Sequence, residues 1–119
     1  MRGVFLGLAL AASLSGVAAA QAVGGSYAVR GTNPDGTAYV GTAQIEGGGG
    51  EDCKISWQTG KTTSQGVCLQ SGRSFASTYL LQGHLGIVVY EIRPDGSLQG
   101  KWYTGGTGPG VGSETLTPQ

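Results

Sequence analysis

The segment Cys53-Lys54-Ile55-Ser56-Trp57-Gln58-Thr59-Gly60-Lys61-Thr62-Thr63-Ser64-Gln65-Gly66-Val67-Cys68 decides the fold. Apolar and polar residues alternate through its first half, the period of a half-buried strand. If Gly60-Lys61 is a two-residue turn, Cys53 falls opposite Cys68, Ile55 opposite Gly66 and Trp57 opposite Ser64. Directly opposed residues of an antiparallel pair lie close enough for a disulfide, whose Cα separation is typically about 5.5 Å. This register makes the two cysteines a hydrogen-bonded pair. They are the only two in the chain, and closing a loop of this size contributes roughly 3 kcal/mol on an entropic account.

Hairpin chemistry continues on both sides of this segment. Upstream, a strand over 25–31 leads into Asn33-Pro34-Asp35-Gly36 and a second strand over 38–46. Proline presets φ and glycine accepts a left-handed conformation, which predicts a three-residue loop with a bulge. Pairing Asn33 with Thr37 sets Val29 opposite Gly41 and Tyr27 opposite Ala43, so Tyr27, Val29, Tyr39, Gly41, Ala43 and Ile45 share one face. Downstream, strands over 74–81 and 85–92 flank a turn at Gln82-Gly83-His84. Arg93-Pro94-Asp95-Gly96-Ser97 then repeats the first turn, setting Tyr90 opposite Gly100 and Val88 opposite Trp102. A glycine loop at 105–110 precedes a closing strand over 111–117.

Glycine recurs opposite a bulky residue at Val29/Gly41, Ile55/Gly66 and Tyr90/Gly100. Glycine inside a strand marks bending or crowding, and small barrels need both. No segment after Ala20 has helical periodicity. The expected fold is all-β: an up-and-down antiparallel meander of about eight strands closing into a small barrel, with an open sheet or flattened sandwich as the alternative.

The chain begins as a leader would. Arg2 is followed by the apolar run Val4–Leu14 and by small residues at Gly16, Ala18, Ala19 and Ala20. This predicts a signal peptide over 1–20, cleaved before Gln21, with cleavage after Ala22 as the second choice. Residues 21–119 then form a single domain, exported to the periplasm or the cell exterior, where a disulfide persists. Removing Arg2 from seven basic residues leaves six against seven acidic ones. That balance provides no electrostatic footprint for nucleic acid or an anionic membrane.

No constellation of catalytic groups is apparent, and no cofactor is expected. His84, the single histidine, falls in a turn and is expected to be exposed. Asp35 and Asp95 read as turn residues. Glu91 and Glu114 are the only acids on strands worth weighing for hydrolysis, which needs two acids flanking a cleft; both are expected to be solvated. Glu46, Glu51 and Asp52 flank four glycines without the spacing of a calcium loop, and no set of zinc ligands is present. The glycine loop at 105–110 leads into no helix and so cannot cradle phosphate as a helix N-terminus does. Trp57 and Trp102 point inward by these registers, where core packing is their first expectation. With Tyr90 they are also the candidate ligand-facing aromatics at a barrel mouth.

Taken in order, Tyr27-Ala28-Val29-Arg30-Gly31-Thr32-Asn33-Pro34-Asp35-Gly36, Cys53-Lys54-Ile55-Ser56-Trp57, Gly66-Val67-Cys68, Val88-Val89-Tyr90, Pro94–Trp102 and Gly112–Leu116 cover most of the domain. In this order they resemble a group of short exported proteobacterial proteins, some of which carry a fibronectin-binding label. The resemblance implies adhesin-like binding and assigns no site residues.

The leading expectation is an exported, non-enzymatic binding module. It would contact a protein or glycan of the cell envelope or host matrix through loops at one barrel end or an exposed sheet edge. An inhibitor of a lysozyme or protease, inserting the loops at 47–50 and 105–110, is the second. A carrier holding a small ligand inside the barrel is the third; it requires an open aromatic mouth.

Overall fold

Strand follows strand wherever apolar and polar residues alternate, and among the described residues eight result: β1 (Gly25–Thr32), β2 (Ala38–Glu46), β3 (Lys54–Thr59), β4 (Thr62–Ser71), β5 (Ser74–Leu81), β6 (His84–Ile92), β7 (Leu98–Thr104) and β8 (Gly112–Pro118). The computed structural model describes residues 22–48 and 52–119. The leader, its cleavage before Gln21, and Glu51 lie outside them. Each strand pairs antiparallel with the next, and β8 returns to β1, closing the barrel. Closure removes the open-sheet alternative. It also removes the expected exposed sheet edge, because β1 pairs along its length with β8.

The registers follow the turns. Val29 faces Gly41 and Tyr27 faces Ala43 across β1 and β2; Ile55 faces Gly66 and Trp57 faces Ser64 across β3 and β4; Tyr90 faces Gly100 and Val88 faces Trp102 across β6 and β7. Cys53 and Cys68 are joined with a Cα separation of 5.1 Å, and the Cys68 N–H donates to the Cys53 carbonyl at 3.1 Å. The pair does occupy a hydrogen-bonded position. The β5–β6 turn is one residue shorter than expected. Leu81 pairs with His84, Gln82 and Gly83 take φ of 51° and 83°, and His84 becomes the exposed first residue of β6. A non-glycine residue at positive φ is uncommon, which is why the longer turn reads more naturally.

The two Pro-Asp-Gly turns are near copies. In the first, the Asn33 N–H donates to the Thr37 carbonyl at 2.8 Å, and Asp35 Oδ1 accepts from the Thr37 N–H at 3.0 Å and its hydroxyl at 2.7 Å. In the second, the Arg93 N–H donates to the Ser97 carbonyl at 2.8 Å, and Asp95 Oδ1 accepts from the Ser97 N–H at 2.9 Å and its hydroxyl at 2.6 Å. Gly36 and Gly96 complete the loops at φ of 93° and 88°.

The interior is filled unevenly along the barrel axis. Ile45, Ile55, Phe75, Leu98 and Leu116 are fully buried, with Val23, Tyr27 and Ile92 beside them. These residues pack the half that carries the disulfide and the β6–β7 turn. Each buried side chain of this size contributes about 1.5–3 kcal/mol of hydrophobic stabilisation. At the other end, β4 presents only half-buried residues to the interior, among them Thr62 and Ser64. The inner wall there is set by aromatic residues instead. On the outside, β4 to β6 expose Val67, Leu69, Leu80, Leu85, Ile87 and Val89.

Candidate functional site

One row of residues around the barrel builds the floor of the open end. Tyr39 on β2 pairs with Gly31 on β1, Gly31 with Glu114 on β8, Glu114 with Gly100 on β7, and Gly100 with Tyr90 on β6. Glu114 thus has glycine on both flanks, and the tyrosine beyond each glycine leans across the gap towards it. A Cβ on Gly31 would collide with the Tyr39 ring, and one on Gly100 would crowd Tyr90.

The carboxylate gathers three donors. Tyr39 Oη donates to Oε1 at 2.7 Å, Trp57 Nε1 on β3 donates to Oε2 at 2.9 Å, and Tyr90 Oη donates to Oε2 as well. Trp102 Nε1 on β7 donates to Tyr39 Oη at 2.8 Å. Glu114 is 7% exposed, against the expectation that it would be solvated. A carboxylate survives burial when hydrogen bonds replace its water, and four aromatic donors in two layers do this here. Glu91 is exposed as expected and pairs with Arg93 at 3.3 Å on the surface.

Above this floor lies a cavity of about 270 Å³ lined by Tyr39, Trp57, Tyr79, Trp102, Glu114 and a polar rim including Thr59, Thr62 and Ser64. Glycine again seats the rings. Gly86, opposite Tyr79, and Gly112, opposite Trp102, have no room for a Cβ because those rings occupy it. Edge-to-face contacts hold the rings in pairs, Tyr39 with Trp102 at 6.3 Å and Trp57 with Tyr79 at 5.6 Å between centroids. Tyr79 Oη shares a hydrogen bond of 2.6 Å with Thr104 Oγ1.

Burial is the first cause that raises the pKa of Tyr39 and of Tyr90, followed by the charge of Glu114 and the hydrogen bond to it. Tyr79 is raised by burial, partly offset by its bond to Thr104. All three phenols therefore stay protonated and available as donors at neutral pH.

Of the candidate ligand-facing aromatics, the structure brings Trp57 and Trp102 to the cavity wall and places Tyr90 beneath it, 1% exposed. Core packing accounts for Tyr90 but only in part for Trp102, which is half-buried. Tyr39 and Tyr79 are site residues that the sequence does not single out, and Glu114, weighed there only as a solvated strand acid, is buried at the centre of the site. The available signal for Glu114 was its parity with Leu116, which places both on the inner face. Among the described residues no group of His, Cys, Asp and Glu is arranged to hold a metal ion. His84 is exposed at the lip of the mouth, paired with Leu81. Compared with family models, curated proteins and solved structures, the chain matches none of them.

Proposed function

We propose that this chain is an exported binding protein whose barrel mouth holds a small molecule. One observation carries the reading: the disulfide half of the barrel is filled with aliphatic and aromatic side chains, while the other half stays open over a carboxylate ringed by aromatic residues. Ligand sites are typically concave, mostly apolar and fitted with a few convergent polar groups, and this cup has that character. The rings are pre-positioned by their glycines and hydrogen bonds, so little order has to be imposed when a ligand enters. The disulfide and the leader-like N-terminal sequence support export.

Of the three expected modes of binding, the small-ligand carrier therefore has the most specific support. Adding a library of small aromatic and aliphatic compounds to isotope-labelled protein tests it by amide and indole NMR. The expected result is saturable shifts at Tyr39, Trp57, Trp102 and Glu114. Shifts that are absent, or that scatter over the outer wall, would overturn the reading.

A further inference from the structure

We infer that the ligand is a small organic cation whose N–H group completes the coordination of Glu114, an inference that rests on the small-ligand reading above. The direction of each proton in the floor network leads to it. An indole N–H can only donate. Trp102 Nε1 donates to Tyr39 Oη, and the single Tyr39 proton goes to Glu114 Oε1 at 2.7 Å, far nearer than its other acceptor, the Ser113 carbonyl at 3.5 Å. Trp57 Nε1 has no alternative to donation and reaches Oε2; the Tyr90 hydroxyl donates to the same oxygen. With Tyr39, Trp57 and Tyr90 donating, Glu114 receives three hydrogen bonds, the set that an ionised carboxylate accepts.

That charge is uncompensated. Among the described residues the ion pair is Arg93–Glu91 on the surface, and no lysine or arginine pairs with Glu114. Among the described residues no basic side chain lines the cavity. A carboxylate offers about four acceptor positions; two bonds occupy Oε2 and one occupies Oε1, which leaves Oε1 with capacity for a further donor. Burying such a charge without a partner is costly, and a cation entering the cup relieves that cost. Around it stand Tyr39, Trp57, Tyr79 and Trp102, whose electron-rich faces attract ammonium and guanidinium groups most strongly where water is excluded. An anionic ligand meets only repulsion from Glu114, and a cavity of about 270 Å³ suits a small molecule.

Four probes of similar size separate the possibilities by calorimetry at neutral pH: benzylamine, benzyltrimethylammonium, benzyl alcohol and benzoate. Benzylamine is expected to bind about tenfold or more tightly than benzyl alcohol, with benzoate undetectable. Benzyltrimethylammonium, a cation without an N–H donor, is expected between the first two. Glu114→Gln, if folded, is expected to reduce the preference for benzylamine over benzyl alcohol towards unity. Equal binding of benzylamine and benzyl alcohol by the unaltered protein would overturn the cation and leave the small-ligand reading standing. Failure of all four probes to bind would remove both.

Discussion

Glu114 ties four strands together with one side chain, since Tyr39, Trp57 and Tyr90 come from β2, β3 and β6. Truncating it strands buried donors, each costing about 1–3 kcal/mol. Glu114→Ala is therefore expected to lower stability by about 3 kcal/mol or more in urea unfolding. Tyr39→Phe removes one charge-assisted bond and is expected to cost about 1.5–3 kcal/mol. The raised phenol pKa values of Tyr39 and Tyr90 set the alkaline behaviour. Unfolding lets these phenols ionise near pH 10, their ordinary value, whereas the folded state holds their protons. The stability they contribute is whole below about pH 10 and falls as pH rises above it. Urea midpoints measured from pH 8 to 11 should drop beyond about 10, less steeply in Tyr90→Phe. Charged residues are rarely buried unless paired, so composition argues against an inward Glu114. Only the alternation it shares with Leu116, and the otherwise unpartnered polar tips of inward Tyr and Trp, argue for it.

The turns decide the elements. Gly36 sits at φ 93° with open space around the position of a Cβ, so Gly36→Ala isolates backbone strain. A cost of about 1–2 kcal/mol is expected from denaturant unfolding, with the fold unchanged. Asp35 and Asp95 have carboxyl pKa values lowered first by the hydroxyls of Thr37 and Ser97. Their contribution is present above the ordinary carboxylate range and is lost as pH falls below it. Between β3 and β4, replacing Cys53 and Cys68 together by alanine opens a loop with a sequence separation of 15. This is expected to lower stability by about 3 kcal/mol, read from unfolding of the double variant beside the oxidised protein. These hairpins were legible because Pro-Asp-Gly and Gly-Lys fix loop length, and loop length fixes register. The β5–β6 turn is one residue shorter than the sequence suggests because nothing in Gln82 announces its positive φ.

Closure is a property of the entire chain. β1 and β8, the first and last strands among the described residues, pair over six residues, from Tyr27–Pro118 to Thr32–Ser113. Deleting residues 115–119 removes Leu116, which is fully buried, and exposes two edges at once. The truncated chain is expected to lose cooperative thermal unfolding by calorimetry. Long-range pairing of this kind slows folding relative to local contacts. Closure was foreseeable from paired glycines and bulky residues, since an open sheet has no need of such crowding. The division of the interior into a filled end and an open one was not. It depends on which rings lie down over Gly31, Gly86 and Gly112, and strand alternation gives the side of a residue without giving its tilt.

The chain contains two tryptophans, and both stand in the wall of the mouth, each with its indole N–H engaged in the network around Glu114. All tryptophan emission from this molecule therefore originates within a few ångströms of the proposed site, with no distant indole to dilute it. Displacement of solvent from the cup has to alter the colour and intensity of that light, which makes the native protein, unlabelled and unmodified, an optical gauge of its own occupancy.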